Sequence, residues 1–167
     1  MTPQEQRSVS EVERIRDQFR RAFEGEAWHG PSMLALLDGV TAQQAAAHPI
    51  PGAHSIWELT LHIAAWERAC LRRLKGDPAQ LTDAEDWESI NDTSDAAWAA
   101  TKQQLIDNHR ELLDAIANVD ESRLNEPIIT HPTIPLSSTY VTLHGGVQHD
   151  LYHPGQIAML KKALVNL

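Results

Sequence analysis

The most constraining part of this sequence is residues 145–157, which contain two histidines four positions apart, His149 and His153. In an α-helix such residues lie about 40° apart on one face, a single turn from each other. Two imidazoles in this arrangement can bind one metal ion, which is why the His-x-x-x-His pattern recurs in zinc sites. Because the chain has nine histidines, the alternative is a chance pair on a half-exposed helix face.

The neighbours of this pair favour a helix that faces a protein interior. Ile157 and Leu160 lie on the same face as His149 and form an apolar stripe typical of a packed helix. One turn before His149, Gly145 and Gly146 present no side chain, although each glycine destabilises a helix by about 1 kcal/mol relative to alanine. Two hypotheses explain them: a neighbouring helix approaches closely, or a substrate needs space above a metal.

Length, charge and cysteine content limit the class of protein. A chain of 167 residues with 42% hydrophobic residues predicts a single domain over residues 1–167. The net charge of -9 argues against a nucleic-acid partner. The single cysteine, Cys70, excludes an intrachain disulfide and a multi-cysteine zinc site. Since neither a secretion signal nor a membrane span is recognisable, we expect a cytoplasmic protein with no membrane partner.

Four long segments combine helical apolar spacing with capping residues at their starts. They cover residues 2–25 (with alternative starts at Ser8 or Ser10), 55–76, 93–119 and 137–164. No convincing strand pattern is present, so we predict an all-α fold, a four-helix bundle with long crossover connections. The acidic connection over residues 76–93 is expected to run along the surface, pinned by Trp87.

Other histidines have less specific surroundings. His62 lies with Trp66 on a stripe of the second helix that should be buried. A single histidine there is more often a hydrogen-bonded core residue than a ligand, and Trp66 either lines a site or fills the core. His109 in the third helix is interpreted as a core residue first and a site residue second. His29 is interpreted as an exposed loop residue, and no role is assigned to His54.

Two residues beside the histidine pair affect its geometry. Pro154 follows His153 inside the predicted helix. Its ring displaces the carbonyl of Asp150 and it donates no hydrogen bond, so we expect a kink at the histidine pair. Asp150 lies about 100° from the ligand face and is expected to support a neighbour or to face solvent.

His62, followed downstream by His149-x-x-x-His153-x-Gly155-Gln156-Ile157, resembles the DinB-like superfamily, which includes the YfiT-type proteins. The segments 28–31 and 54–58 are also similar to its members, so the resemblance spans nearly the whole chain. It implies a four-helix bundle in which His62, His149 and His153 bind one divalent metal ion. Pro154 departs from the usual pattern of the family.

Three neutral imidazoles leave a coordination position open and suit zinc or nickel. The resemblance implies a metal-dependent S-transferase that joins a bacillithiol- or mycothiol-type thiol to an electrophile, because a metal lowers the pKa of a thiol. Helical geometry alone suggests that Glu58 and Gln156 orient a ligand or water. The alternatives are a metal-dependent hydrolase, with Glu58 as base, and a non-enzymatic metal-binding stress-response protein. Since relatives pair through their bundles, a homodimer is expected.

Overall fold

The computed structural model describes residues 9–128 and 137–164, so the predicted helix start at residues 2–5 lies outside the described residues. Four long helices match the four predicted segments, and three short helices and two very short strands lie between them. In chain order the elements are α1 (Glu11–Glu24), α2 (Met33–Leu37), α3 (Ala42–Ala46), α4 (Ile56–Leu74), α5 (Asp83–Asp86), α6 (Asp95–Ala117), a 3-10 turn (Glu121–Arg123), β1 (Pro127–Ile128), β2 (Ser137–Ser138) and α7 (Thr139–Leu164).

Side-chain caps begin the long helices at positions that the sequence indicated. α1 begins at Ser10, one of the alternative starts, in a capping box. α4 begins with the predicted capping box of Ser55 and Glu58, and α6 begins at Ser94. The hydroxyl of Ser138 accepts a hydrogen bond from the backbone of Val141 at 3.2 Å in the first turn of α7. Each cap satisfies a backbone N–H that has no partner inside its helix.

The four long helices form a bundle in which α4 packs against α6 and α7, and α1 packs against the same two helices. Phe19, Leu105, Leu112, Leu143 and Ile157 are fully buried between them. Burial of each such side chain contributes about 1.5–3 kcal/mol to folding. The predicted all-α fold is confirmed, and α4 and α7, which carry the three candidate ligands, lie side by side. The single domain over residues 1–167 stays a prediction.

The connection between α4 and α6 is more ordered than expected. The short helix α5, which begins with a capping box between Thr82 and Glu85, was not predicted from the sequence. Trp87 then stacks between two histidine rings, 3.6 Å from that of His54 and 4.1 Å from that of His62, centroid to centroid. The segment is therefore pinned by Trp87, as predicted, and it lies against the candidate site.

The connection between α6 and α7 contains an antiparallel two-stranded ladder that the sequence analysis did not predict. Pro127 pairs with Ser138, and Ile128 pairs with Ser137. The ladder places the start of α7 beside the end of the 3-10 turn, where the Tyr140 amide donates to the Leu124 carbonyl at 2.8 Å.

α7 runs without interruption from Thr139 to Leu164, with Pro154 buried inside it. The expected kink stays a prediction. Among the described residues, no helix combines the length and the apolar character that a membrane span requires.

Candidate metal centre

Three imidazoles converge between α4 and α7. The Nε2 atom of His62 lies 3.1 Å from Nε2 of His153 and 3.1 Å from Nε2 of His149, and all three ligand atoms lie within 4.8 Å of one another. His62 and His153 are buried, whereas His149 is half-buried. The structure therefore brings the three predicted ligands together in what we call the three-histidine site.

In His62 and His153, the hydrogen bonds of the Nδ1 atom show which ring nitrogen faces the centre of the three-histidine site. Nδ1 of His62 lies 3.0 Å from the backbone oxygen of Asp86 and 3.0 Å from its carboxylate. Nδ1 of His153 lies 2.8 Å from Oε1 of Gln156. Because these oxygens only accept hydrogen bonds, each Nδ1 carries the ring hydrogen and each Nε2 presents a lone pair. Lone pairs 3.1 Å apart repel each other unless a cation lies between them.

The spacing and the charge of the rings fit a divalent ion. With metal–nitrogen bonds of about 2.1 Å, two nitrogens 3.1 Å apart enclose an angle of about 95°, between the octahedral and tetrahedral values. Burial lowers the pKa of His153 to about 4, and burial together with the nearby His149 lowers the pKa of His62. Both rings are thus neutral at neutral pH, which is the form that binds metal.

A cavity of about 630 Å³ opens beside this site. Six of the residues that line it are Trp66, Glu67, Arg73, Gly145, His149 and Asp150. The Trp66 indole donates to the Asp86 carboxylate at 2.6 Å, and its ring lies 5.7 Å from that of His149. Trp66 therefore forms a wall of the site, which was one of the two roles considered for it. A cavity of this volume can hold a small molecule against His149.

Comparison with known proteins agrees with this geometry. A family model described as the DinB superfamily matches residues 27–157. The chain belongs to the DinB superfamily. The crystal structure of a conserved protein from Enterococcus faecalis is similar in fold, with a TM-score of 0.65 and 18% identity over 96% of this chain and 100% of that chain. The comparison with curated proteins gave no match.

In this DinB-superfamily protein, the two residues predicted to orient a ligand differ in position. Gln156 contacts the three-histidine site directly, through Nδ1 of His153. Glu58 instead accepts from the backbone of Ser55 at 2.7 Å and lies 3.0 Å from Nε2 of His48. Burial opposes ionisation of Glu58, but these hydrogen bonds lower its pKa. Among the described residues, Glu58 contacts the cap of α4 and residues close to that cap. Its predicted role in orienting a ligand or water stays a prediction.

The sequence analysis missed a second group of buried polar residues beside the cavity. Glu67, His109 and Asp150 place ligand atoms within 4.8 Å of one another, and we call this group the carboxylate cluster. His109 is a core residue, as first interpreted, with 1% exposure. The solvent-facing alternative for Asp150 is wrong, since it is 5% exposed. Glu67 is a charged residue buried on α4, and its partners come from α6 and α7, so no pattern within α4 identifies it.

The two consecutive glycines of α7, Gly145 and Gly146, fit different hypotheses. A Cβ atom on Gly146 would lie 2.6 Å from the Phe19 ring of α1, which is too close, whereas a Cβ on Gly145 would meet nothing within 4 Å. Gly146 therefore allows a close helix contact, and Gly145 leaves space beside the cavity. Of the remaining histidines, His29 is exposed, as predicted.

Proposed function

We propose that His62, His149 and His153 bind one divalent cation, zinc or nickel, and that the protein is a metal-dependent S-transferase for a low-molecular-weight thiol. The observation that carries this proposal is the convergence of three Nε2 atoms beside a cavity large enough for a small substrate. Of the three proposed ligands, His149 lines the cavity. A substrate bound in the cavity would therefore lie beside the open coordination position of the cation.

The cation would lower the pKa of a thiol that reaches it and so supply a thiolate nucleophile at neutral pH. The chain offers no such nucleophile itself. Cys70 lines the cavity, but burial raises the pKa of its thiol to about 12, so it stays protonated. The sulfur that attacks must therefore come from a second molecule, which favours transfer of an external thiol.

The walls of the cavity suit a small molecule with one anionic group. Most of the lining is apolar, including Phe19 and Leu112. Arg73 adds a guanidinium, held 5.4 Å from the centre of the Trp66 ring and by a 3.1 Å bond from Nε to the Ala79 carbonyl. Its remaining donors can bind a carboxylate of the thiol. In the transfer, sulfur loses its proton and bonds to an electrophilic carbon, and the leaving group departs with its electron pair.

The test begins with elemental analysis of the untagged protein. Substitution of His62, His149 or His153 by alanine should each reduce metal content sharply, because two imidazoles bind a cation far more weakly than three. His29→Ala, which removes an exposed histidine, is the matched control and should retain metal. If metal stoichiometry survives all three site substitutions, the ligand assignment is wrong.

The transferase step is tested separately with metal-loaded protein, bacillithiol and a chromogenic aryl halide. Loss of free thiol together with formation of the thioether supports the proposal. Release of halide without thiol consumption would instead indicate hydrolysis. Metal binding with neither product would favour a non-enzymatic metal-binding protein and would contradict the proposed activity.

A further inference from the structure

The carboxylate cluster is built from one residue on each of three helices, Glu67 on α4, His109 on α6 and Asp150 on α7. Their exposures are 3%, 1% and 5%. Nδ1 of His109 lies 2.6 Å from Oε1 of Glu67, and the His109 ring is stacked 3.8 Å from that of Phe23. The three side chains are thus fixed by packing and point towards one another.

Two buried oxygens of the cluster have no hydrogen-bond partner. They are Oε2 of Glu67 and Oδ2 of Asp150. Among the ion pairs of the described residues, none joins either carboxylate to a lysine or an arginine; the partners are His109 for Glu67 and His149, at 3.8 Å, for Asp150. An unpaired buried carboxylate is strongly unfavourable unless a proton or a cation neutralises it.

A shared proton accounts for the cluster only in part. Burial and the neighbouring Asp150 raise the pKa of Glu67 well above its usual value, so a proton on Glu67 can join the two carboxylates. It would still leave one negative charge buried between His149, at 3.8 Å, and His109, which burial keeps neutral by lowering its pKa to about 3. A divalent cation would neutralise both carboxylates, and Nδ1 of His109 would coordinate it after the ring hydrogen moves to Nε2, a buried nitrogen without a hydrogen-bond partner. The cavity that reaches Glu67 and Asp150 provides the route of entry.

We propose that Glu67, His109 and Asp150 form a second divalent-cation site, distinct from the three-histidine site and adjacent to it through the neighbouring residues His149 and Asp150. Two carboxylate oxygens and one imidazole form a harder ligand set than three imidazoles, and such a set suits Mn²⁺ or Fe²⁺. The proposal does not rest on the proposed transferase activity, since the site has its own ligands.

The test uses the whole protein loaded first with Zn²⁺ and then titrated with Mn²⁺, with free Mn²⁺ followed by electron paramagnetic resonance. We expect about one Mn²⁺ per chain in addition to zinc. Glu67→Gln, which keeps the shape of the side chain, should weaken Mn²⁺ binding by at least about tenfold and leave zinc content unchanged. Glu111→Gln removes an exposed carboxylate from α6 and should change neither.

Crystals of the wild-type protein soaked in Mn²⁺ provide a measurement that needs no variant. An anomalous peak at the manganese edge among Glu67, His109 and Asp150 supports the site. The proposal is overturned if that peak is absent, if the wild type binds no Mn²⁺ beside zinc, or if Glu67→Gln binds it unchanged. A carboxylic-acid band in the infrared spectrum of the Mn²⁺-saturated wild type, lost in Glu67→Gln, would show a shared proton instead and would also overturn it. Unchanged zinc content in all three histidine variants would refute the proposed function and leave this site intact.

Discussion

At the scale of single residues, Gln156 contacts one of the proposed metal ligands without belonging to the ligand set. Its Oε1 accepts the Nδ1 hydrogen of His153, which fixes the ring tautomer and directs Nε2 to the other ligands. Gln156→Leu removes the acceptor and should weaken zinc binding about 10–100-fold. Gln156→Glu retains an acceptor and should bind zinc nearly as the wild type does. Competition with a chelating dye measures both, and equal affinities for all three proteins would contradict a positioning role.

His109 predicts a pH dependence of stability in the metal-free protein. Burial lowers the pKa of His109 from 6.5 to about 3, so the unfolded chain binds its proton first as the pH falls. The neutral ring therefore stabilises the folded protein fully above about pH 6.5. Below that pH, its contribution to the free energy of unfolding falls by at most about 1.4 kcal/mol per pH unit. His109→Gln cannot titrate but still offers Glu67 a donor. Its stability relative to the protein that keeps His109 should rise between pH 6.5 and 4.5.

Urea denaturation at several pH values measures this difference. Glu67 faces the side chain at position 109 in both proteins, and burial raises its pKa well above the usual value, so the comparison is made in a Glu67→Gln background to isolate the histidine. His29→Gln, which removes an exposed histidine, is the control and should keep the wild-type profile. Parallel curves with and without His109→Gln would contradict the prediction.

Which residues the sequence identifies depends on where their partners lie. His149 and His153 share one helix, so their spacing alone places them together. His62 lies on a different helix, so its role as a ligand was inferred from the resemblance to the DinB-like superfamily. Glu67 belongs to a cluster whose other members come from α6 and α7, and no spacing within α4 indicates that contact. Glu58 was placed one turn before His62 by helical geometry, but its capping bond to Ser55 holds its carboxylate at the end of the helix.

At the scale of elements, the two consecutive glycines of α7 are expected to respond in opposite ways to the same substitution. Gly145→Ala adds a methyl group that meets nothing within 4 Å, so the gain in helix propensity should raise stability by about 1 kcal/mol. Gly146→Ala would place its methyl 2.6 Å from the buried Phe19 ring, and overpacking costs about 1–3 kcal/mol. Thermal unfolding should rank Gly145→Ala above the wild type and Gly146→Ala below it. If both variants were more stable than the wild type, or both less stable, the different roles given to Gly145 and Gly146 would be contradicted.

Helix starts were predictable because side-chain caps are local, as at Ser55 and Ser94. The capping box at Thr82 was equally local but was overlooked, because α5 has only four residues and no apolar period. The ladder between β1 and β2 is also too short for an alternating pattern. These small elements matter to the site, since Asp86 at the end of α5 accepts from His62 and a sequence pattern could not place it there.

At the scale of the whole molecule, the three-histidine site is assembled from two helices that are distant in sequence and from the connection between α4 and α6. α4 and α7 are separated by α6 in sequence but pack side by side, and Trp87 from the intervening connection covers His62. Packing of this kind follows from apolar stripes on several helices at once. Stripe positions could be inferred from periodicity, whereas the choice of neighbours could not be inferred from any one segment.

The outer face of α7 supports the expectation of a homodimer. Val141, Tyr152 and Met159 lie on one side of this helix and are 57%, 65% and 58% exposed, with the exposed Gln148 between the first two. Gly155 lies between the last two and would allow a second helix to approach closely. An exposed apolar stripe of this kind is typical of an interaction surface, and two copies that pair through it about a twofold axis would each bury the same residues.

We therefore expect light scattering at micromolar concentration to give about twice the chain mass of 18.6 kDa, as a twofold pair requires. Tyr152→Glu combined with Met159→Glu places two charges in the stripe and should give the mass of one chain, with an unchanged circular dichroism spectrum. Trp28→Glu is the control, because Trp28 is fully exposed on the connection after α1, and it should leave the mass unchanged. A wild-type protein with the mass of one chain would exclude the homodimer. Dissociation caused by Trp28→Glu would place the interface elsewhere than on α7.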